Sequence, residues 1–127
     1  MLKDSFYTIS EITSETTSFI AILQLREDHP LYQGHFPGQP VVPGVCMMQI
    51  VKELAAMATT KALALQTADT MKFLQQIDPR HTPVLRAELS YWILEDDSES
   101  MSIRVSAIFL KETSPCFKFN GVFRSAE

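Results

Sequence analysis

Between Tyr32 and Gln49 the chain reads YQGHFPGQPVVPGVCMMQ, and no other stretch restricts the fold as tightly. Three of the chain's four glycines (Gly34, Gly38, Gly44) and three of its seven prolines (Pro37, Pro40, Pro43) crowd this segment around one histidine, His35. Proline fixes φ and removes a donor, and glycine reaches conformations closed to other residues. The loop over residues 27–43 is therefore expected to be rigid and sharply turned. It opens without a spacer into residues 45–66, which read as one helix roughly 33 Å long at about 1.5 Å per residue. Val45, Met47, Met48, Ile50, Val51, Leu54, Ala55, Met57, Ala58, Leu63 and Leu65 keep to no single stripe, so this helix has to be covered on several sides. Gln49, Lys52, Glu53 and Thr60 form one narrow polar stripe that must face solvent, a partner chain or a cavity. The first N–H groups, near Gly44 and Val45, lack partners within the helix and sit at its positive end, where they suit a negatively charged oxygen.

The cover comes from strands. Residues 6–12 and 17–25 precede the loop, with a turn at Ser14 and Glu15, and Phe19, Ala21, Leu23 and Leu25 alternate with the other face. Residues 71–77, 84–95, 102–111 and 116–123 follow the helix. Leu85, Ala87, Leu89, Tyr91 and Ile93 alternate well, as do Ile103, Val105, Ala107 and Phe109. Polar turns fall at Asp96–Asp97–Ser98 and at Thr113–Ser114–Pro115. Strand, strand, helix and four strands give an α+β layout, one antiparallel sheet wrapped around one buried helix.

With 127 residues and 46% apolar content the chain suits a single ordered domain, residues 1–127. A net charge of −4 argues against nucleic acid as a partner, because phosphate binding needs a basic patch. Cys46 and Cys116 match no zinc or redox spacing and read as reduced core thiols. No His, Asp or Glu cluster has ligand spacing, and no nucleotide motif is present, so no cofactor is expected. Lys3 and Asp4 interrupt the start where a leader would be apolar, and no run of about 20 apolar residues could span a membrane. A cytoplasmic location is the expectation.

The GHFPGQPVVPGV motif followed by a helix resembles the 3-hydroxyacyl-acyl-carrier-protein dehydratases of the hotdog fold. The resemblance covers most of the chain from about Phe6 onward. It implies a hotdog layout, with His35 as the catalytic base. It also implies a thioester oxygen held at the helix N-terminus by Gly44 and Val45, with Phe36, Pro37 and Met48 along the acyl site. The family's second catalytic group is a carboxylate five residues after the glycine of PG, and here that position is Gln49. An amide can hydrogen-bond a hydroxyl or water but cannot transfer a proton at neutral pH. Glu53, one turn beyond, is a candidate substitute and is otherwise an ordinary solvated helix residue. Further departures are DPRHTPVLRAEL where the family carries a Pro-Gly-Asp turn, and the missing N-terminal segment with histidine and arginine. A specialised lipid or polyene pathway fits them.

The resemblance implies acyl carrier protein with a pantetheine-linked chain as partner. It also implies a homodimer or higher oligomer, or a heterodimer with a homologue, in which two chains share each site. Three functions stand side by side. One is a hydro-lyase making a trans-2-enoyl thioester. The second is a weak or inactive acyl-binding subunit paired with an active homologue, which Gln49 favours. The third is a hotdog thioesterase, against which the HFPG motif argues. Outside the motif, His29 is expected to serve the loop, Arg80 and His81 to be solvated, Met47 and Met57 to fill the core, and Tyr91 and Trp92 to face opposite ways.

Overall fold

A computed structural model describes residues 1–34, 38–97 and 100–126. Its elements are β1 (Tyr7–Ser14), β2 (Ser18–Leu25), a single 3-10 turn (Pro30–Gln33), α1 (Gly44–Thr59), β3 (Leu63–Phe73), β4 (Val84–Asp96), β5 (Met101–Lys111) and β6 (Ser114–Ser125). The six strands form one antiparallel sheet in the order β1-β2-β4-β5-β6-β3, with α1 packed against its inner face. This is the hotdog layout.

The period-two pattern read in β2, β4 and β5 is the pattern that is buried, except at Ile93, which is exposed because β4 runs on there past the end of its pairing with β2. Phe19, Ala21, Leu23, Leu85, Ala87, Leu89, Ile103, Val105 and Phe109 all point inward onto Met47, Ile50, Val51, Leu54 and Ala55 of α1. Truncating Leu54 to alanine in such packing costs about 2–5 kcal/mol. Tyr91 is buried and Trp92 exposed, as strand alternation requires. On β6 the inner face changes to Phe117, Phe119, Gly121 and Phe123. A Cβ on Gly121 would lie 2.3 Å from the Thr67 carbonyl oxygen and 2.6 Å from the Phe119 ring. Glycine is thus required there because β3 and the ring both close on the backbone.

The helix ends earlier than its composition indicates. It stops at Thr59, and the stretch 63–66 expected as its last turn is the start of β3. Thr60 adopts the left-handed conformation (φ 55°, ψ 31°), and its N–H donates to the Ala56 carbonyl. The Lys61 N–H donates to the same oxygen, which closes the helix and reverses the chain. Leu63 then pairs with Ser125 and Leu65 with Phe123. Ala and Leu at 62–65 favour helix locally, but the open edge of β6 outweighs that preference. The strand expected at 71–77 accordingly runs from Leu63 to Phe73, and Ile77 lies beyond it, buried in the core.

β1 and β3 are the sheet edges. β3 leaves Leu65, Met71 and Phe73 exposed, with exposed Leu74 just after them.

Candidate functional site

Two places on α1 gather the candidate residues. The first is its N-terminus. Pro43 stands at the cap in extended conformation, and no side chain caps the helix. The N–H groups of Cys46 and Met47 donate to the Pro43 carbonyl. Those of Gly44 and Val45 lie in the first turn, where helix geometry supplies no acceptor. Val45 is 78% exposed despite being apolar, whereas Gly44 is half-buried and Cys46 and Met47 are buried. Gly44 is needed because the Phe73 ring sits against it: a Cβ would come within 2.6 Å of that ring. Val42 N–H donates to the Ile77 carbonyl at 2.9 Å and anchors the approach to the helix. Met48 is half-buried against the core. His35, Phe36 and Pro37 lie outside the described residues.

The second place is the Gln49–Glu53 pair. Glu53 is not a solvated helix residue: it is 4% exposed. Its Oε1 accepts from the Lys3 N–H and the Tyr7 hydroxyl, each at 2.9 Å. Its Oε2 accepts from the Leu2 N–H at 2.7 Å and from Gln49 Nε2 at 2.8 Å. Four donors use the acceptor capacity of one carboxylate. Burial is the largest influence on this carboxyl and raises its pKa. The bonds from Leu2, Gln49, Tyr7 and Lys3 together outweigh it, so the group lies below the ordinary glutamate value. The same contact, with burial first, drives the Tyr7 hydroxyl upward. The polar stripe of α1 therefore meets the chain's own N-terminal segment at Glu53, an option the sequence reading did not include.

The loop's flanks form a third feature. Pro30–Gln33 is capped by His29, whose Nδ1 accepts from the Leu31 N–H at 3.1 Å. His29 serves the loop as expected. The ring of Phe6 meets those of His29 and Tyr32 at 5.3 and 5.4 Å. A cleft of about 450 Å³ lies between the two ends of the loop, lined by Glu27, Asp28, His29, Tyr32, Gln33, Gly38 and Pro40. Arg80 is exposed and pairs with Asp78, whose carboxyl it draws down to about 2, and His81 is exposed too. Cys46 and Cys116 are free and buried, and burial pushes Cys116 up to about 11. Among the described residues no group of His, Cys, Asp and Glu could hold a metal, and no helix is long and apolar enough to cross a membrane.

Sequence reasoning missed Phe73 and Tyr7. The glycine after a capping proline signals close approach at Gly44, but nothing local identifies the ring that approaches. Tyr7 reads as a strand aromatic, and only the packing of β1 beside α1 turns its hydroxyl to Glu53.

Residues 11–107 match the family model of the ApeI-like proteins, described as ApeI dehydratase. A 3-hydroxyacyl-acyl-carrier-protein dehydratase FabZ from Caulobacter sp. (strain K31) is 29% identical over 107 residues, covering 83% of this chain and 58% of that protein. FabZ of Ralstonia nicotianae is 33% identical over 79 residues, covering 54% of this chain and 48% of that one. The chain thus spans roughly half of the length of these curated relatives. Among solved structures, the dehydratase heterocomplex ApeI:P from Xenorhabdus doucetiae superposes with a TM-score of 0.67 at 15% identity, over 91% of this chain and 96% of that one. A mutant thioesterase from Pseudomonas aeruginosa gives 0.57 at 8% identity, over 93% and 79%.

Proposed function

The chain belongs to the ApeI-like dehydratase family, and we propose that it removes water from a 3-hydroxyacyl thioester borne on acyl carrier protein, in the cytoplasm. The observation that carries this reading is the uncapped first turn of α1, exposed at Val45, which begins six residues after the end of the GHFPG motif. In the proposed reaction the imidazole of His35 takes a proton from C2. The electron pair left behind forms the C2=C3 bond as the C3–O bond breaks. The Gly44 and Val45 N–H groups donate to the thioester oxygen as its charge grows, and Phe36, Pro37 and Met48 border the acyl chain. Gln49 holds the leaving hydroxyl by a hydrogen bond. Because an amide does not transfer protons, the proton that completes the water comes from the imidazolium formed at His35.

Two chains are proposed to complete each site. Gly44 and Gln49 are five residues apart, so they differ by about 140° around the helix axis and about 7.5 Å along it. A chain's Gln49 therefore turns away from its own first turn and is free to serve that of a second copy. The exposed apolar edge of β3 supports pairing of this kind, since an open edge with such side chains invites another strand. The second copy is the same chain or a homologue. The amide at Gln49 supports a second reading, in which the partner is a homologue bearing the acid and this chain is the weaker or inactive subunit.

Hydration of a trans-2-enoyl thioester on acyl carrier protein, followed by loss of enone absorbance, tests the reading. Turnover without thiol release is expected. Thiol release would turn the assignment to a thioesterase. Activity seen only after mixing with an acid-bearing homologue would establish the subunit role.

A further inference from the structure

We propose that Glu53 is a positioning residue that sets the orientation of the Gln49 amide, so that Gln49 presents its carbonyl oxygen, and not its NH₂, to the substrate's C3 hydroxyl. The inference rests on the dehydratase reading above and specifies how its acid position works without an acid.

An ionised carboxylate can accept about four hydrogen bonds and donates none. Glu53 is buried, with Leu2 N–H, Lys3 N–H, Tyr7 O–H and Gln49 Nε2 all directed at it. It has no proton to donate and no room for a fifth partner. Reversing the Gln49 amide would set its Oε1 about 2.8 Å from Glu53 Oε2, the distance that Nε2 now holds. Two acceptors at hydrogen-bond distance repel, so the reversed amide is excluded. The orientation is therefore dictated by chemistry and not by an arbitrary choice between O and N. Among the described residues no donor reaches Gln49 Oε1. That oxygen is the only acceptor at the position the family gives to its acid.

An acceptor at this place has a use that a donor lacks. A hydroxyl that donates to Gln49 keeps its own lone pairs free for the proton arriving from the imidazolium. As the oxygen becomes water its remaining O–H grows more acidic, and the bond to the amide strengthens. The interaction is thus greater in the transition state than in the ground state, which is the condition for raising kcat. The carboxylate behind the amide adds to this, because donating from NH₂ polarises the carbonyl toward a stronger acceptor. Leu2, Lys3 and Tyr7 belong to the same device. They hold Glu53 so that its fourth acceptor site points at Gln49.

Two measurements test the proposal. In kinetics, Glu53→Gln frees the Gln49 amide to turn over, and kcat for enoyl-thioester hydration is expected to fall about tenfold to a hundredfold, with KM changed less than about threefold. Gln49→Leu, which leaves three donors on Glu53, is expected to show the same pattern. Unchanged kcat in either folded variant, or a change confined to KM, would overturn it. The second measurement needs no activity. In the wild-type ¹⁵N–¹H spectrum, one Gln49 side-chain amide proton is expected far downfield and protected from exchange, and lost in Gln49→Leu. A free-amide shift for Gln49 would overturn the positioning role whatever the enzyme does. Absence of turnover with the downfield proton present would instead reject the dehydratase reading alone.

Discussion

Gln49→Glu is the most informative single change, because the environment of the new carboxyl is already on view. Gln49 Nε2 lies 2.8 Å from Glu53 Oε2, so a second carboxyl would face the first at about 3 Å. At an effective dielectric of about 20, two unit charges at that distance repel by about 5–6 kcal/mol. Glu53 keeps three other donors, from Leu2, Lys3 and Tyr7, so it holds its charge and the proton stays at position 49. Solvent at this half-buried position screens part of the repulsion. Retaining about half of it, at about 1.4 kcal/mol per pH unit, carries the new carboxyl from about 4.3 to about 6.5. It would add a proton-transferring group near neutrality at a position that now holds only an amide, worth up to about 10²–10⁴ in kcat. The linkage sign follows from a raised folded-state pKa. The change costs no stability below about pH 4, the cost grows between about pH 4.3 and 6.5, and it levels near 3 kcal/mol above that. The assay is hydration rate against pH from 5 to 9, beside thermal denaturation at the same pH values. A rise in kcat is expected, with a new acidic limb near neutrality, because the group that protonates the leaving hydroxyl in dehydration must be ionised to take a proton from the attacking water in hydration. A folded variant with wild-type kcat at every pH, and stability no more pH-dependent than the parent's, would refute the reasoning.

Three further outcomes are expected. Gly121→Ala sets a Cβ 2.3 Å from the Thr67 backbone oxygen and should cost about 3 kcal/mol or more by parting β3 from β6, seen as a lowered denaturation midpoint; an unchanged midpoint would contradict the close approach. Thr60→Gly relieves a β-branched residue at φ 55° and should stabilise the fold by about 1 kcal/mol, read as a rise of a few degrees in Tm. Glu53 has a folded pKa below its ordinary value, so its contribution is full above about pH 4.5 and is lost as pH falls through the lower folded value. Release of residues 2–7, followed by amide exchange at Leu2 and Lys3, should accompany that fall, and protection unchanged down to pH 2 would count against the hub.

Much of the chain was legible because its signals are local. Period-two burial in β2, β4 and β5 reflects strand geometry alone, and each of those strands lies within two residues of its expected limits. His29 beside Pro30 announced a loop role that its Nδ1 performs. The end of α1 was not legible, since Leu63 and Leu65 are good helix formers and only pairing with β6 makes them strand. Glu53 was misjudged for a related reason. A lone glutamate on a mostly apolar helix has no local mark of burial, because the groups that satisfy it come from residues 2, 3 and 7, some fifty positions away.

The sequence by itself determined the α+β plan, the covered helix, the GHFPG motif and the amide at position 49, because each depends on residue type and short-range spacing. The tertiary structure decided what the amide is bound to. A hydrogen bond between Gln49 and Glu53 could be drawn from their spacing, but its direction could not. That direction depends on Glu53 being ionised while buried, and a buried carboxylate is tolerable only when distant donors converge on it. Folding of β1 and the N-terminal residues against α1 supplies those donors. The chemistry available at position 49 is therefore a property of the whole fold.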